Sequence, residues 1–214
     1  MKWKYNPPSL IKNIFSDFQW ESEIPKILIT FDDGPNPNTT EFILKELQKD
    51  NIKTIFFCVG ENLHRYNSLA EQILSEGHEI GNHTFKHQKI TNRSVQENNS
   101  SIEIVQNYTL EKFNYNIKYF RPPHGRFDFR TKQILNSFQL RNVLWSLLTF
   151  DYKNDLNIVK FAIENYLSQN SIIVLHDSNK SKNIILDSIN IILEQSVKKN
   201  YQIGKPSECL KHFS

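Results

Sequence analysis

The side chains of this sequence best able to move protons or hold a cation fall in five short segments. These are Thr30-Phe31-Asp32-Asp33-Gly34-Pro35, His83-Thr84-Phe85-Lys86-His87, Arg121-Pro122-Pro123-His124-Gly125, a stretch from Trp145 to Tyr152 that contains Asp151, and Ile172-Ile173-Val174-Leu175-His176-Asp177. Adjacent carboxylates on extended backbone point in different directions, so Asp32 and Asp33 can take different tasks. If one binds a cation, the other stays ionised beside it and can accept a proton from water. His83 and His87 are four residues apart. On helical backbone that spacing puts both rings on one face, within reach of a single ion at a Zn–N distance of about 2.0–2.1 Å. Two histidines and one aspartate suit a catalytic zinc with positions left open for water and a substrate oxygen. His64, His78, His124 and His212 stay open as alternative ligands, with His78, just before a short strand, reading as structural.

Two prolines make the Arg121 loop rigid, its glycine permits close approach, and the guanidinium can hold a carboxylate through two hydrogen bonds. The same loop can present a backbone N–H to a developing oxyanion. His176 ends an apolar strand, and an imidazole has the right ordinary pKa to donate a proton at neutral pH. Asp151 can orient that imidazole and keep it protonated.

What must position these groups is an alternation of short apolar runs with longer amphipathic segments after residue 25, the pattern of parallel β/α units. The expected strands are 27–31, 54–59, 78–80, 117–120, 142–147, 172–175 and 201–203. Helix starts are read from Asn38 with Glu41, Ser68 with Glu71 and Ser94 with Glu97, and Gly77 stands where a helix-ending glycine belongs. Seven strands and six helices leave an open doubly wound sheet or a barrel, and the expectation from this pattern is a barrel, somewhat short of the usual eight repeats, in one domain. The polar residues singled out all follow predicted strands, and in such folds the functional site forms at the strand C-terminal ends. Residues 1–24 form a separate N-terminal segment, with Leu10, Ile11, Ile14, Phe15 and Phe18 at helical spacing, read as a helix packed on a domain of residues 25–214.

A length of 214 residues suits one domain with its own core. The 26 Lys and Arg against 23 Asp and Glu leave a net charge of +3, too small for a nucleic-acid footprint. Cys58 and Cys209 are too few and too far apart for a disulfide framework or a zinc finger. No apolar run is long enough to span a membrane, and the N-terminus lacks the unbroken core of a secretory signal. The chain therefore reads as unexported and cytoplasmic by default, with action at the cell envelope if a signal has been trimmed.

In type and order these segments resemble the motifs of the polysaccharide deacetylase family, the NodB-homology domain of carbohydrate esterase family 4, over about residues 26–204. The resemblance implies a distorted (β/α)7 TIM-like barrel and a metal-dependent hydrolase, acting on carbon–nitrogen bonds other than peptide bonds, that removes acetyl groups from an acetylated amino-sugar polymer or oligomer. The N-acetyl of GlcNAc units is the expected target. It implies zinc, or another divalent ion such as cobalt, held by Asp33, His83 and His87. Asp32 then matches the general base, Arg121 its partner, His176 the acid and Asp151 the partner of that acid. A backbone N–H near His124 matches the oxyanion contact. The sequence departs from the family pattern at His124, Leu148, Tyr152 and Val174, and of these His124, Tyr152 and Val174 are assigned to substrate binding. Three other readings compete: a non-catalytic glycan-binding protein, an acetylxylan-type O-deacetylase, and a His-Asp phosphohydrolase built on His83, His176, Asp177 and Asp187. Retention of both Asp32 and His176 speaks against a pure binder.

Overall fold

A computed structural model describes residues 4–211; His212 lies outside the described residues. Its strands are β1 (Lys26–Asp32), β2 (Ile55–Cys58), β3 (Glu79–Asn82), β4 (Tyr119–Phe120), β5 (Arg141–Asn142), β6 (Leu147–Leu148), β7 (Ile172–His176) and β8 (Gln202–Ile203). The helices are α1 (Ser9–Ile14), α2 (Thr40–Lys49), α3 (Gly60–Arg65), α4 (Asn67–Ser75), α5 (Val95–Phe113), α6 (Arg130–Ser137), α7 (Leu156–Tyr166), α8 (Ile185–Lys198) and α9 (Pro206–Cys209). The strands run parallel in the order β5-β4-β3-β2-β1-β7-β6, with β8 beside the first residues of β1. Curled on itself, this sheet is the distorted (β/α)7 barrel read from the sequence. None of the described helices is long and apolar enough to cross a membrane.

The two-residue period of the strands decides what faces the barrel interior. Ile27, Ile29 and Phe31 of β1 pack with α2 residues Ile43, Leu44 and Leu47 on the helix side. Leu28 joins Ile55, Phe57, Tyr119, Val143 and Ile172 on the other side, inside the barrel. Thr30 and Asp32 lie on the same face as Leu28, and Val174 and His176 on the same face as Ile172. β1 and β7 pair in register with Asp32 opposite His176, so alternation alone carries both residues to the same end of the barrel interior.

The strand expected over 142–147 is in fact two strands at opposite edges of the sheet: β5 pairs with β4, and β6 with β7. Between them the carbonyls of Val143 and Leu144 accept hydrogen bonds from the Arg121 side chain instead of a neighbouring strand. Gln19 spans part of this gap: its N–H donates to the Asn142 carbonyl, and its own carbonyl accepts from the Leu144 N–H. Next to it, Glu21 bridges to Ser171 at the start of β7. Among the described residues the strand count is therefore eight rather than seven.

Of the three helix starts read from capping residues, Ser94 with Glu97 forms the reciprocal capping box at the head of α5. The other two are corrected. α2 begins at Thr40, with Thr39 in the capping position but its hydroxyl bonded to Asp177, while the Asn38 side chain bonds to Asn179. α4 begins at Asn67 because α3 runs into it through Tyr66, leaving Ser68 inside the helix. Gly77 follows α4 at φ +82°, and the N–H groups of Gly77 and His78 donate to Leu74 and Ile73. In the N-terminal segment, α1 ends at Ile14, short of Phe15 and Phe18. Those two rings pack edge-on against Phe127 at 4.8 and 5.4 Å.

Candidate active site

Asp32 leaves β1 pointing into the barrel, and its Oδ1 accepts a 2.7 Å bond from Nη1 of Arg121, a residue fully buried at the exit of β4. Each nitrogen of that guanidinium donates at least one hydrogen bond. Nη1 also donates to Thr30 Oγ1, Nε to the Val143 carbonyl and Nη2 to the Leu144 carbonyl, while the Phe57 ring lies 4.1 Å away. Burial pulls the Arg121 pKa down and the Asp32 carboxylate pushes it back up. Without Arg121, Asp32 would be a buried charge lacking its partner, which costs about 3–5 kcal/mol. Arg121→Met is thus expected to lower the unfolding free energy by about that amount in urea denaturation; a loss under about 1 kcal/mol would contradict the pairing.

His176 is held as tightly from its other side. Its Nδ1 lies 2.7 Å from Asp151 Oδ1, and its backbone N–H donates to Asp151 Oδ2, also at 2.7 Å. The Thr149 hydroxyl sits beside the buried carboxylate, its one proton shared between the Val174 carbonyl at 2.7 Å and Asp151 Oδ1 at 3.1 Å. Burial alone would lower the His176 pKa, but the negative charge and hydrogen bond of Asp151, with Asp33 and Asp32 behind them, raise it to about 9. The imidazole is thus held as a cation at neutral pH.

Asp33, His83 and His87 each offer a ligand atom, all within 4.8 Å of one another. Asp33 Oδ1 is 3.6 Å from His83 Nε2 and 3.1 Å from His87 Nε2. Ligands at about 2.0–2.1 Å around a tetrahedral ion lie about 3.4 Å apart, so the triad fits one small divalent cation. His83 Nδ1 lies 2.7 Å from the Arg121 carbonyl, which can only accept, so this nitrogen carries the proton and Nε2 keeps its lone pair for a ligand. Burial lowers the His83 pKa to about 4, which keeps the ring neutral. Burial works to raise Asp33, yet the hydrogen bond from His87 and the nearby imidazoles hold it well below the usual carboxylate range. A neutral imidazole and an ionised carboxylate are the protonation states a metal requires.

The two histidines reach Asp33 by a route other than the helix face expected from their spacing. Residues 83–87 form a loop in which Thr84 and His87 have φ of +64° and +55°. The loop is fixed from outside itself: the Thr84 N–H donates to Asn82 Oδ1, the Phe85 N–H to Ser101 Oγ, and the Thr84 carbonyl accepts from the Gly60 N–H. Of the alternative ligands, His78 accepts the Thr54 N–H, and His64 stacks on Tyr108 at 3.6 Å between ring centroids. His124 packs against His87 at 4.4 Å but is not part of the triad.

Asp32, His176 and the triad open on one cavity of about 230 Å³, also lined by His124, Gly125, Trp145, Leu148, Tyr152, Val174 and Lys180. Tyr152 meets the His176 ring edge-on at 4.9 Å. At Gly125, φ is +60° and an added Cβ would come within 2.3 Å of the Trp145 ring, so only glycine lets this loop close on the cavity wall. Sequence reading passed over Thr30 and Thr149, whose hydroxyls fix Arg121 and Asp151. It also missed Lys180, and it read Asp177 only as part of a phosphohydrolase motif. Asp177 is a buried carboxylate bonded by the hydroxyls of Thr39 and Thr40, and burial raises its pKa to about 7. The parallel barrel also speaks against the phosphohydrolase reading, which calls for an all-helical fold.

Residues 21–143 match the family model described as polysaccharide deacetylase. The chain is 36% identical over 198 residues to chitin deacetylase 1 of Saccharomyces cerevisiae, covering 86% of this chain and 61% of that one. In fold it is similar to a solved peptidoglycan N-acetylglucosamine deacetylase, with TM-score 0.86, 24% identity, and 92% and 95% of the two chains covered. It is similar too to a carbohydrate esterase family 4 pseudoenzyme from Bacillus anthracis, with TM-score 0.79, 20% identity, and 90% and 68% covered. The chain spans 61% and 36% of the length of the first curated relatives it matches.

Proposed function

The chain belongs to the polysaccharide deacetylase family, and on that premise we propose that it is a metal-dependent hydrolase that removes N-acetyl groups from GlcNAc units of a poly- or oligosaccharide. Fold alone does not carry this, since a pseudoenzyme shares it. What carries it is that Asp32, backed by Arg121, His176, backed by Asp151, and the triad all line one cavity. A glycan binder has no use for a buried, salt-bridged carboxylate and a charged imidazole at the same point.

Asp33, His83 and His87 are the residues to hold the cation, zinc or another divalent ion such as cobalt. When bound there, such an ion supplies polarisation of the acetyl carbonyl and acidification of water. Asp32 takes the proton of the attacking water, with Arg121 preventing the carboxylate from turning away. The oxyanion that forms on the acetyl carbon is met by a backbone N–H near His124. His176 has Nδ1 committed to Asp151, so Nε2 gives its proton to the amine nitrogen as the C–N bond breaks. The products are acetate and a free amino sugar. Trp145, Leu148, Tyr152 and Val174 supply apolar wall suited to the acetyl methyl and exclude bulk water.

The test is acetate release from chitin oligomers, peptidoglycan and acetylxylan by metal-stripped and zinc-restored protein. Release from an N-acetylated glycan that appears only after zinc is restored is the expected result. Release confined to acetylxylan would turn the reading to O-deacetylation, and none from any glycan would sink it.

A further inference from the structure

Asp33 follows β1 directly, and its backbone has φ +76°, in the left-handed region that side chains with a Cβ seldom adopt. Such a conformation persists only where neighbouring structure holds it. The turn is held at three points. The Asp33 carbonyl accepts a 2.7 Å bond from Asn62 Nδ2 on α3, and the Gly34 carbonyl accepts from the Val59 N–H at 3.0 Å. The third point is Asp177, the residue after β7. Its N–H donates to the Asp32 carbonyl at 2.8 Å, which carries the β1–β7 ladder to the end of β1. Its side chain lies beneath Gly34, where an added Cβ would meet Asp177 Oδ2 at 2.2 Å, Cγ at 2.9 Å and Cβ at 3.1 Å. Gly34 has no positive φ, so what excludes a side chain there is this carboxylate and not the backbone angle. The carboxylate is itself pinned: Oδ1 accepts from Thr39 Oγ1 at 2.5 Å and Oδ2 from Thr40 Oγ1 at 2.6 Å, both at the start of α2. Asp177 is fully buried and lies outside the lining of the catalytic cavity, so it has no direct part in binding or proton transfer there.

The geometry points to Asp177 as a positioning residue of the metal site: filling the space beneath Gly34, it holds the Asp32-Asp33-Gly34 turn in the form that aims the Asp33 carboxylate at His83 and His87. The inference deepens the metal-dependent reading of this cavity and rests on it. A smaller side chain at 177 leaves room beneath Gly34 into which the turn relaxes, and Asp33 then loses its place 3.1 Å from His87 Nε2. The hydroxyls of Thr39 and Thr40 give the support its rigidity, because they tie it to a helix and not to another loop. Groups that orient metal ligands from behind contribute about 10- to 100-fold in metal affinity.

The experiment measures zinc Kd by chelator competition, with folding followed by circular dichroism and urea denaturation, in the parent, Asp177→Ala, Asp177→Asn and Gly34→Ala proteins. Asp177→Ala is expected to raise Kd by roughly 10- to 100-fold. Asp177→Asn keeps the shape beneath Gly34, and the threonine hydroxyls can accept as well as donate, so its Kd should stay far closer to the parent's. Gly34→Ala drives a Cβ onto the carboxylate and should weaken zinc by a factor similar to Asp177→Ala; adding Asp177→Ala to it removes the two nearest atoms and should recover part of the loss. Parent-like Kd in folded Asp177→Ala overturns the proposal, and a lowered urea midpoint alone marks a residue that is only structural. If Asp177→Ala does not fold, parent-like Kd in Gly34→Ala overturns it equally. Acetate release does not enter these measurements, so the deacetylase reading can fail without touching them. If the parent binds no zinc, the metal reading fails and crystal structures of metal-free parent and Asp177→Ala decide: an Asp33–His87 contact kept at 3.1 Å in the variant overturns the positioning role, and one that opens supports it.

Discussion

Asp32→Asn is expected to bind zinc at one ion per chain, the stoichiometry expected of the parent protein too, and to lose acetate release by roughly 10²- to 10⁴-fold. The asparagine keeps the shape of the side chain and an oxygen that can still accept from Arg121 Nη1, so the loop after β1 has reason to stay in place. What it loses is basicity. The group able to offer ligand atoms to one ion is Asp33, His83 and His87, without Asp32, so metal stoichiometry and proton abstraction should separate in this one variant. The loss should fall on kcat rather than KM, because the proton moves only on the way to the transition state. Metal content is measured by elemental analysis and folding by circular dichroism. Near-parent turnover in a folded, zinc-loaded variant would remove Asp32 as the base.

The polar ends of the strands were legible because a parallel barrel leaves few choices. Apolar runs such as Ile172–Leu175 announce a buried strand, and a histidine or aspartate straight after one is delivered to the functional face. The β1–β7 register shows why that works: Asp32 and His176 are matched neighbours, each two residues beyond an interior-facing partner. Local spacing misled where long-range bonds set the backbone. The helical reading of His83 and His87 failed because Asn82 and Ser101 bind the loop in a form with two positive φ angles. The 142–147 run looks like one strand, but the Arg121 guanidinium claims two of its carbonyls, and no local pattern reports that. Asn38 resembles a helix cap, yet Asp177 takes the hydroxyls of Thr39 and Thr40. That buried carboxylate lies so close to Gly34 that an added Cβ there would meet its Oδ2 at 2.2 Å. The reason for the glycine after the aspartate pair is thus 143 residues downstream of it.

The His176–Asp151 pair makes a second large effect, this time in pH. With protonated His176 as the proposed acid, turnover is expected to hold up to the region of its raised pKa, about 9, and fall as pH rises through it. Asp151 is the largest of the influences raising that pKa, opposing burial, which lowers it. Asp151→Asn removes the charge and leaves burial unopposed by it, so the alkaline limb of the kcat/KM profile should move down by 2 or more units, towards or below the ordinary imidazole value of about 6.5. At pH 8 the protonated fraction then drops from about nine tenths to about one thirtieth or less, a loss of roughly 30-fold or more before any loss of ring orientation. Near pH 5.5 most of the imidazole is charged in either protein, and the variant should recover much of its deficit. The linked effect on stability has the same sign: a histidine raised from 6.5 to about 9 adds stability that is whole below 6.5 and disappears as pH climbs through 9. Asp151→Asn should therefore flatten the decline in stability between pH 6.5 and 9. A merely structural Asp151 would lower activity equally at all pH values. An unmoved alkaline limb in a folded Asp151→Asn protein would show that the proton given to the amine does not come from a histidine poised by this aspartate.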